Sequence, residues 1–202
     1  MKLRWIAVFI IVIALFFSHA QIKRTQDKKP EVLSLPTGSV FQSQQSIPEI
    51  VFLNQDGQDM KREDFLNHWS LFFFGYTACP EFCPIIVQAM DRIGRSFQGD
   101  NLKFYFVSID PHHDKPHQLK DFLSQYKTPI IGLNGSLDQV AALAEFFKLT
   151  VEKAEGQERH IEHSASLVLV DPSGRPVGLF SDYKNPKQIA LDIRYAQYYL
   201  KK

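Results

Sequence analysis

The two cysteines of the chain, Cys79 and Cys83, have three residues between them, and this spacing supports two kinds of chemistry. If Cys79 begins a helix, Cys83 lies one turn further on and both sulfurs share one helix face. A helix N-terminus favours thiolate over thiol through its dipole and its free N–H groups. Two thiolates can chelate a soft ion such as Cu(I), or they can close a disulfide. The pair is one residue longer than the thioredoxin motif, which favours metal binding over efficient thiol exchange.

A plain stabilising disulfide is the alternative interpretation of this pair. It would close a very small loop, for which the entropic gain of a disulfide is smallest. Two cysteines in 202 residues also do not make the disulfide framework of a small secreted domain. We therefore interpret Cys79 and Cys83 as a working pair that cycles between thiol and disulfide or binds a metal.

A copper ion that must accept both oxidation states needs a nitrogen ligand beside two sulfurs. Seven histidines are available, and His163 lies just before an apolar strand predicted over 166–170. A residue there would project from the loop end of a central sheet towards the cysteine-bearing helix. Glu162 or a backbone carbonyl could hold its second ring nitrogen. On spacing alone, an ordinary surface-loop histidine is the better-supported interpretation.

Other residues compete with His163 for the role of metal ligand. His160 is its near neighbour in sequence. A second group looks like a metal site on composition, namely His112, His113, Asp114 and His117. That group lacks thiols and lies in an irregular, proline-flanked segment, so we interpret it as a solvated loop that leads into a helix.

The elements that must position these residues alternate between strands and helices. Strand patterns cover 49–53, 70–76, 102–109, 130–133, 166–170 and 177–180, and helical patterns cover 85–97, 116–126, 137–147 and 186–200. Turn-forming residues after the first and fifth strands predict two hairpins. Alternating strands and helices imply parallel pairing by right-handed crossovers. We expect an α/β fold with a mixed central sheet, helices on both faces and an added N-terminal hairpin, and a thioredoxin-like fold satisfies this pattern.

The cysteine pair lies where the first central strand, over 70–76, gives way to its helix. Ligands of open α/β sheets collect at the carboxyl ends of strands. The predicted fold therefore places Cys79 and Cys83 where a binding site is expected.

The N-terminus has the three parts of a secretory signal. Met1 to Arg4 is a short basic start, Trp5 to Phe17 is an unbroken apolar run, and Ser18-His19-Ala20 has small residues where a signal peptidase reads them. The run is short for a bilayer span, and continuing it through Ile22 makes it long enough for an uncleaved anchor. Either outcome places residues 30 onward outside the cytoplasm.

The charge balance bears on one class of partner. Lys and Arg number 23 against 22 Asp and Glu, a formal net charge of +1. A phosphate-binding domain normally shows a basic excess, so we expect no nucleic-acid partner.

Four blocks of the chain resemble the SCO/SenC family. They are Phe74 to Pro84 (FGYTACPEFCP), Ser108 to Pro111 with Asp114 and Pro116, Gly132 to Ser136, and His163 to Ala165 with Asp171, Pro172 and Gly174. The blocks occur in family order and cover roughly residues 47 to 198. Many members carry His or Asn at Ala78 and Asp in place of Glu81 and Glu162, and a Tyr often found shortly before the histidine is not obvious here.

The resemblance implies a thioredoxin-like fold and a copper site of two cysteines and one histidine, here Cys79, Cys83 and His163. It implies delivery of copper to the dinuclear copper centre of cytochrome c oxidase, or reduction of that centre's thiols. The expected partners are the copper-accepting subunit of that oxidase, and thiol reductants or copper carriers of the cell envelope. Members are usually membrane-anchored and face the periplasm or intermembrane space.

We therefore predict three parts in the chain. They are a signal peptide or membrane anchor over 1–22, a flexible tether over 23–45 and a thioredoxin-like copper-binding domain over 46–202. The domain is expected in the cell envelope, anchored and facing the periplasm, or soluble in the periplasm if the signal is cleaved.

Two functions compete for the cysteine pair. The first is a copper metallochaperone, which is not an enzyme in the usual sense. The second is a thiol–disulfide oxidoreductase that uses only Cys79 and Cys83, with Cys79 as the candidate nucleophile. An oxidoreductase should tolerate His163→Ala, whereas a copper carrier should not. A peroxidase of the same fold superfamily has only Thr77 in its favour, and a purely structural interaction protein is the last alternative.

Overall fold

The structure is a computed structural model that describes residues 32–80, 82–153 and 161–201. These residues belong to one compact unit that begins at Val32. Its strands are β1 (Leu33–Leu35), β2 (Gly38–Val40), β3 (Val51–Asn54), β4 (Asp59–Lys61), β5 (Trp69–Gly75), β6 (Leu102–Ser108), β7 (Ile130–Asn134), β8 (Val151–Lys153), β9 (Ile161–His163), β10 (Leu167–Val170) and β11 (Pro176–Phe180). Its α-helices are α1 (Phe82–Arg95), α2 (Pro116–Leu123), α3 (Leu137–Phe146) and α4 (Pro186–Tyr199), and a short 3-10 helix covers Arg62–Phe65.

The described strands form one large mixed sheet and one small hairpin. The large sheet has the order β1-β2-β11-β10-β5-β6-β7-β3-β4, and β8 pairs only with β9. β5, β6 and β7 are parallel, as expected for strands joined by helical crossovers. The other neighbouring strands of this sheet are antiparallel. The predicted α/β fold with a mixed central sheet is confirmed.

The centre of the sheet is buried on both faces, which explains why its strands lack polar alternation. Every residue of β5 is buried. Phe72 lies beside Tyr105 in the neighbouring strand, and their rings stack with centroids 4.8 Å apart. Phe73 lies beside Phe106, and these rings meet edge to face at 6.0 Å. Since successive residues of a strand point to opposite faces, the two pairs fill the two sides of the sheet.

The predicted N-terminal hairpin is present as β3 and β4. Asn54 closes its turn, because the Asn54 side-chain oxygen accepts hydrogen bonds from the N–H groups of Asp56 and Gln58, both at 2.9 Å. Gly57 has φ 77°, a conformation that suits glycine. The turn therefore forms through the turn-forming residues that predicted it.

The flexible tether predicted over 23–45 is wrong for residues 33–40, which form a second hairpin at the sheet edge. β2 pairs with β11, and Pro36 and Thr37 form the turn between β1 and β2. A side chain at Gly38 would have its Cβ 2.0 Å from the Leu179 carbonyl oxygen, so this close approach requires glycine. Pro36 and Gly38 therefore serve a tight turn. Residues 23–31 and the segment predicted over 1–22 lie outside the described residues.

A buried carboxylate attaches this hairpin to α4. Asp192 accepts hydrogen bonds from the Thr37 N–H at 3.0 Å and from the Thr37 hydroxyl at 2.6 Å. The Gln188 amide also donates to Asp192, at 2.9 Å. α4 in turn packs against α1, and α2 packs against β7. In the part of the chain that the structure describes, every helix is too short or too polar to span a bilayer.

We expect Asp192→Ala to lower the free energy of unfolding by about 2–4 kcal/mol, because two donors of Thr37 would lose their buried acceptor. Asp182→Ala is the matched control, since Asp182 is exposed, and its effect should stay within about 0.5 kcal/mol. Urea denaturation followed by circular dichroism measures both. Equal effects of the two substitutions would contradict a structural role for this hairpin.

Candidate metal centre

Cys79 and Cys83 lie at the junction of β5 and α1, as the sequence predicted. Cys79 is in the turn before the helix, and its N–H donates to the Tyr76 carbonyl at 3.2 Å. Cys83 is the second residue of α1, and its N–H donates to the Cys79 sulfur at 3.5 Å. Both side chains are buried, with exposed fractions of 7% and 0%. In the structure they are thiols and not a disulfide.

The end of β5 makes room for the Cys83 sulfur through a missing side chain. A Cβ on Gly75 would lie 2.9 Å from the Cys83 sulfur and 2.8 Å from the Phe73 ring. Real Cβ atoms do not approach other atoms so closely, so glycine is required for the sulfur to sit against the strand. The glycine near the end of the apolar run is therefore part of the site.

His163 lies beside the Cys83 thiol although 80 positions separate them in sequence. The distance from the Cys83 sulfur to His163 Nε2 is 3.7 Å. His163 was predicted in a loop, and this prediction is wrong: it ends β9, where it pairs with Val151 of β8. Hydrogen bonds between Thr150 and Ser164, both 3.0 Å long, close the same hairpin. Three-residue strands carry too little hydrophobic period to be seen in a sequence.

The His163 ring is held in the tautomer that a metal ligand needs. His163 Nδ1 lies 3.0 Å from the Ile161 carbonyl oxygen, which can only accept a hydrogen bond. Nδ1 therefore carries the hydrogen, and the lone pair of Nε2 points to the cysteine side. A backbone carbonyl in this position matches one of the two arrangements expected from the sequence, and it is common for histidine ligands of metals.

Burial governs the protonation state of Cys83. Removal from water raises the pKa of the Cys83 thiol far above its ordinary value, because a buried thiolate loses its hydration. The helix N-terminus, which was expected to favour thiolate, does not offset this cost. Cys83 is therefore a neutral thiol at neutral pH, and its S–H can donate to His163 Nε2.

The donor set fits a copper ion. Two sulfurs and one imidazole nitrogen are the ligand types that copper accepts in both oxidation states. An ion with metal–sulfur and metal–nitrogen bonds of usual length would separate the two donor atoms by about 3.5–3.7 Å, close to the observed 3.7 Å. Within the described ranges, no three His, Cys, Asp or Glu side chains are already gathered into a metal-binding cluster. A bound ion would therefore have to bring the Cys79 sulfur into the same coordination shell as Cys83 and His163.

Asp114 holds the cysteine-bearing turn in place, a role that its neighbours in sequence do not indicate. It is 1% exposed and accepts hydrogen bonds from the Thr77 N–H at 3.0 Å, the Thr77 hydroxyl at 2.5 Å and the Ser108 hydroxyl at 2.8 Å. Burial raises the pKa of the Asp114 carboxyl group. The sequence grouped Asp114 with exposed histidines, whereas its contacts join the end of β6 to the turn before Cys79.

Tyr76 is a second residue at the site that sequence reasoning did not assign. Its ring meets the His163 ring edge to face at 6.0 Å. Burial raises the pKa of the Tyr76 hydroxyl, and a contact with the Cys79 side chain adds to this effect. Tyr76 precedes the cysteines in sequence, so the ring beside the histidine comes from the cysteine segment. The sequence feature that could have indicated Tyr76 is its position directly after a fully buried strand.

None of the competing histidines that the structure describes is brought to the site. His112, His113 and His117 are exposed, and His113 Nδ1 pairs with Asp110 at 2.8 Å. Their interpretation as a solvated loop that leads into a helix agrees with this arrangement. His160 lies outside the described residues.

Comparisons with known proteins agree with this geometry. Residues 41–197 match the model of the family described as SCO1/SenC. The chain belongs to the SCO1/SenC family. A protein of Stutzerimonas stutzeri named as a candidate copper-binding protein is 32% identical over 136 residues, which are 65% of this chain and 67% of that protein. The SCO2 homolog of Danio rerio is 28% identical over 149 residues, 70% of this chain and 53% of that protein.

A solved SCO1/SenC relative supports the fold. The structure of Bradyrhizobium japonicum ScoI with copper bound has a TM-score of 0.67 and 25% identity, and the likeness covers 75% of this chain and 99% of that one. The prediction of a thioredoxin-like fold is thereby confirmed. This chain matches little more than half the length of the zebrafish relative.

We expect Asp114→Ala to lower the free energy of unfolding by about 2–4 kcal/mol, because one buried and two partly buried donors would lose their buried acceptor. Asp110→Ala, which removes only the partly exposed pair with His113, should cost less than about 1 kcal/mol. Urea denaturation of the two variants gives the two free energies of unfolding for comparison. A cost for Asp114→Ala no larger than that of Asp110→Ala would show that the carboxylate does not hold the turn.

We also expect iodoacetamide to modify Cys83 of the reduced protein at least about tenfold more slowly than in guanidinium chloride, at about pH 8. Complete burial blocks access to the Cys83 sulfur, and its raised pKa leaves little thiolate. Peptide mass spectrometry after timed quenching gives the rate at each cysteine. Equal rates in folded and denatured protein would contradict the buried, protonated thiol.

Proposed function

We propose that this chain binds one copper ion through Cys79, Cys83 and His163. We propose further that it delivers this copper to the dinuclear copper centre of cytochrome c oxidase as an assembly factor. The observation that carries the proposal is the 3.7 Å approach of His163 Nε2 to the Cys83 sulfur, at the carboxyl end of a central strand. The copper-bound ScoI of B. japonicum and the named relative in S. stutzeri support copper as the ion.

Each residue of the site has a distinct part in holding copper. The sulfurs of Cys79 and Cys83 supply soft ligands, and His163 Nε2 supplies the nitrogen that Cu(II) prefers. Because Cys83 is a neutral thiol before binding, it must release its proton to become a ligand, and copper affinity should rise with pH. Asp114 and Tyr76 position the turn and the imidazole without serving as ligands.

The surface beside the site suits contact with a protein that receives the copper. Phe82 and Ile85 lie on the first turn of α1 and are 46% and 51% exposed. Large apolar side chains beside a metal site are typical of surfaces that bind another protein. This supports a copper-accepting subunit as partner, with envelope thiol reductants or copper carriers as further partners.

We also propose that the domain works in the cell envelope. The basic start, the apolar run from Trp5 to Phe17 and the small residues after it support a signal peptide or an anchor over 1–22. An anchored domain that faces the periplasm and a cleaved, soluble periplasmic domain both follow from this segment.

A thiol–disulfide oxidoreductase is the second candidate function. It is favoured by the closeness of the two cysteines, with the Cys83 N–H 3.5 Å from the Cys79 sulfur. Such an enzyme would use the pair without His163. Copper binding therefore needs His163, whereas thiol–disulfide exchange does not.

Anaerobic copper titration of the reduced protein separates them. Absorption spectra follow Cu(II), and a chromophoric competitor follows Cu(I). We expect wild type to bind one equivalent with a thiolate-to-Cu(II) charge-transfer band. We expect His163→Ala to lose the band and to weaken binding more than about tenfold, since even indirect partners of metal ligands have effects of this size.

His113→Ala is the matched control, because His113 is an exposed histidine that pairs with Asp110 away from the cysteines. Its titration should equal that of wild type. Absence of stoichiometric copper in wild type, together with a readily reducible Cys79–Cys83 disulfide, would reject the copper carrier and favour the oxidoreductase.

A further inference from the structure

The outward side of α4 carries exposed apolar and cationic side chains together. We call this surface the outer face, and it consists of Lys187, Leu191, Arg194, Tyr195 and Tyr198. Leu191, Tyr195 and Tyr198 are 60%, 46% and 63% exposed. The spacing of three, four and seven residues places all five on one side of the helix. The inner side of α4 is buried through residues such as Ile189, Ile193 and Ala196.

The outer face contains no carboxylate from its own helix. The acidic residue of α4 is Asp192, which lies on the inner side and is bonded to Thr37. Arg194 is paired with Asp100 at 3.0 Å, and its guanidinium group lies over the Phe97 ring. This pair is exposed, so the surface around it remains open to solvent.

A basic cleft adjoins the N-terminal end of the outer face. It has a volume of about 400 Å³ and is lined by Arg92, Arg95, Lys184 and Lys187 together with the first residues of α4. Arg95 pairs with the buried Asp91. No carboxylate of the described residues forms an ion pair with Lys184 or Lys187. The nearest acid in sequence, Asp182, is exposed. The cleft therefore carries an excess of positive charge.

Tyrosine and leucine beside lysine and arginine are the composition of surfaces that lie in a membrane interface. Tyrosine rings sit at the level of lipid headgroups, with an apolar body and a polar tip. Lysine and arginine near the surface are attracted by anionic phospholipids. The cleft and the outer face thus match an anionic lipid surface in both charge and apolar character.

The course of the chain favours a lipid surface over another protein as the occupant. The apolar run that ends at Phe17 is joined to Val32 only by residues 18–31, a connection of roughly 50 Å at full extension. The hairpin that follows Val32 is hydrogen-bonded to α4 through Thr37 and Asp192. If residues 1–22 act at the membrane as proposed, a connection of this length keeps the whole domain close to the lipid surface.

We propose that the outer face of α4 and the basic cleft dock this domain onto the anionic surface of the membrane. Arg92 and Arg95 lie in the last turn of α1, whereas Cys83 lies in its first turn. A helix of this length is roughly 20 Å long. Docking through the cleft therefore uses the end of α1 opposite to Cys83, and a protein partner can still reach the cysteine end.

The test uses the full chain reconstituted into nanodiscs of phosphatidylcholine, with or without about one third phosphatidylglycerol. Hydroxyl-radical footprinting then measures oxidation of Tyr195 and Tyr198. We expect oxidation of both to fall at least about threefold in the anionic discs, and the protection to weaken as salt rises from about 0.1 to 0.5 M. Phe82, near the cysteines, should be oxidised equally in both lipids.

Two pairs of variants make the test specific. Lys184→Glu with Lys187→Glu should abolish the protection, whereas the control Lys120→Glu, an exposed lysine of α2, should retain it. Leu191→Ser should weaken the protection several-fold, whereas Leu137→Ser, an exposed leucine of α3, should not. None of these residues lies at the copper site, so the result is independent of copper binding.

Equal oxidation in neutral and anionic discs, or protection retained by the double charge reversal, would overturn the proposal. Protection of the tyrosines without lipid, growing with protein concentration, would show instead that a second copy of the chain covers the face. That outcome would overturn the proposal as well.

Discussion

The close approach of α1 to the end of β5 is the constraint on which the site depends. Gly75 has no side chain, so the sulfur of Cys83 reaches the strand and is completely buried between it and the core. This contact fixes where the first turn of α1 begins and hence where Cys79 lies. It also sets the protonation of Cys83, because a thiol in this position has lost its access to water. The positions of the two cysteines and the raised pKa of Cys83 therefore have the same cause, which is the close contact between α1 and β5.

Three distant segments meet at this contact, and each is held by its own hydrogen bonds. Asp114 fixes the turn before Cys79, and the Ile161 carbonyl fixes the ring of His163. Because the supports are separate, His163 can approach the cysteines without unfolding the turn, and the turn can adjust without moving β9. Small independent movements of this kind suit the acceptance and release of copper that we propose for this site. A rigid preformed site would bind more tightly and release more slowly.

The sequence predicted the parts of the fold whose signals are local. The apolar run before Cys79, the helical spacing after Cys83 and the turn at Asn54 to Gly57 were each recognised from their own residues. The elements that the sequence did not predict depend on residues in other parts of the chain. β2 is a strand because it pairs with β11, β1 because it pairs with β2, and β9 because β8 lies beside it. Asp114 looked like a loop residue because its partners, Thr77 and Ser108, come from other segments.

The same division between local and distant signals explains why the cysteines were assigned more firmly than the histidine. Two thiols on one helical turn predict their own proximity, whereas His163 needed a resemblance to known sequences before it could be preferred to His160 or His113. The fold supplies the physical reason for the preference. A two-stranded hairpin brings Nε2 to the Cys83 sulfur, and a carbonyl turns that nitrogen towards it. A histidine one position earlier or later on β9 would point to the opposite side of the hairpin, because side chains alternate along a strand. Register therefore decides which side chain faces the Cys83 sulfur, and register is a property of the paired strands.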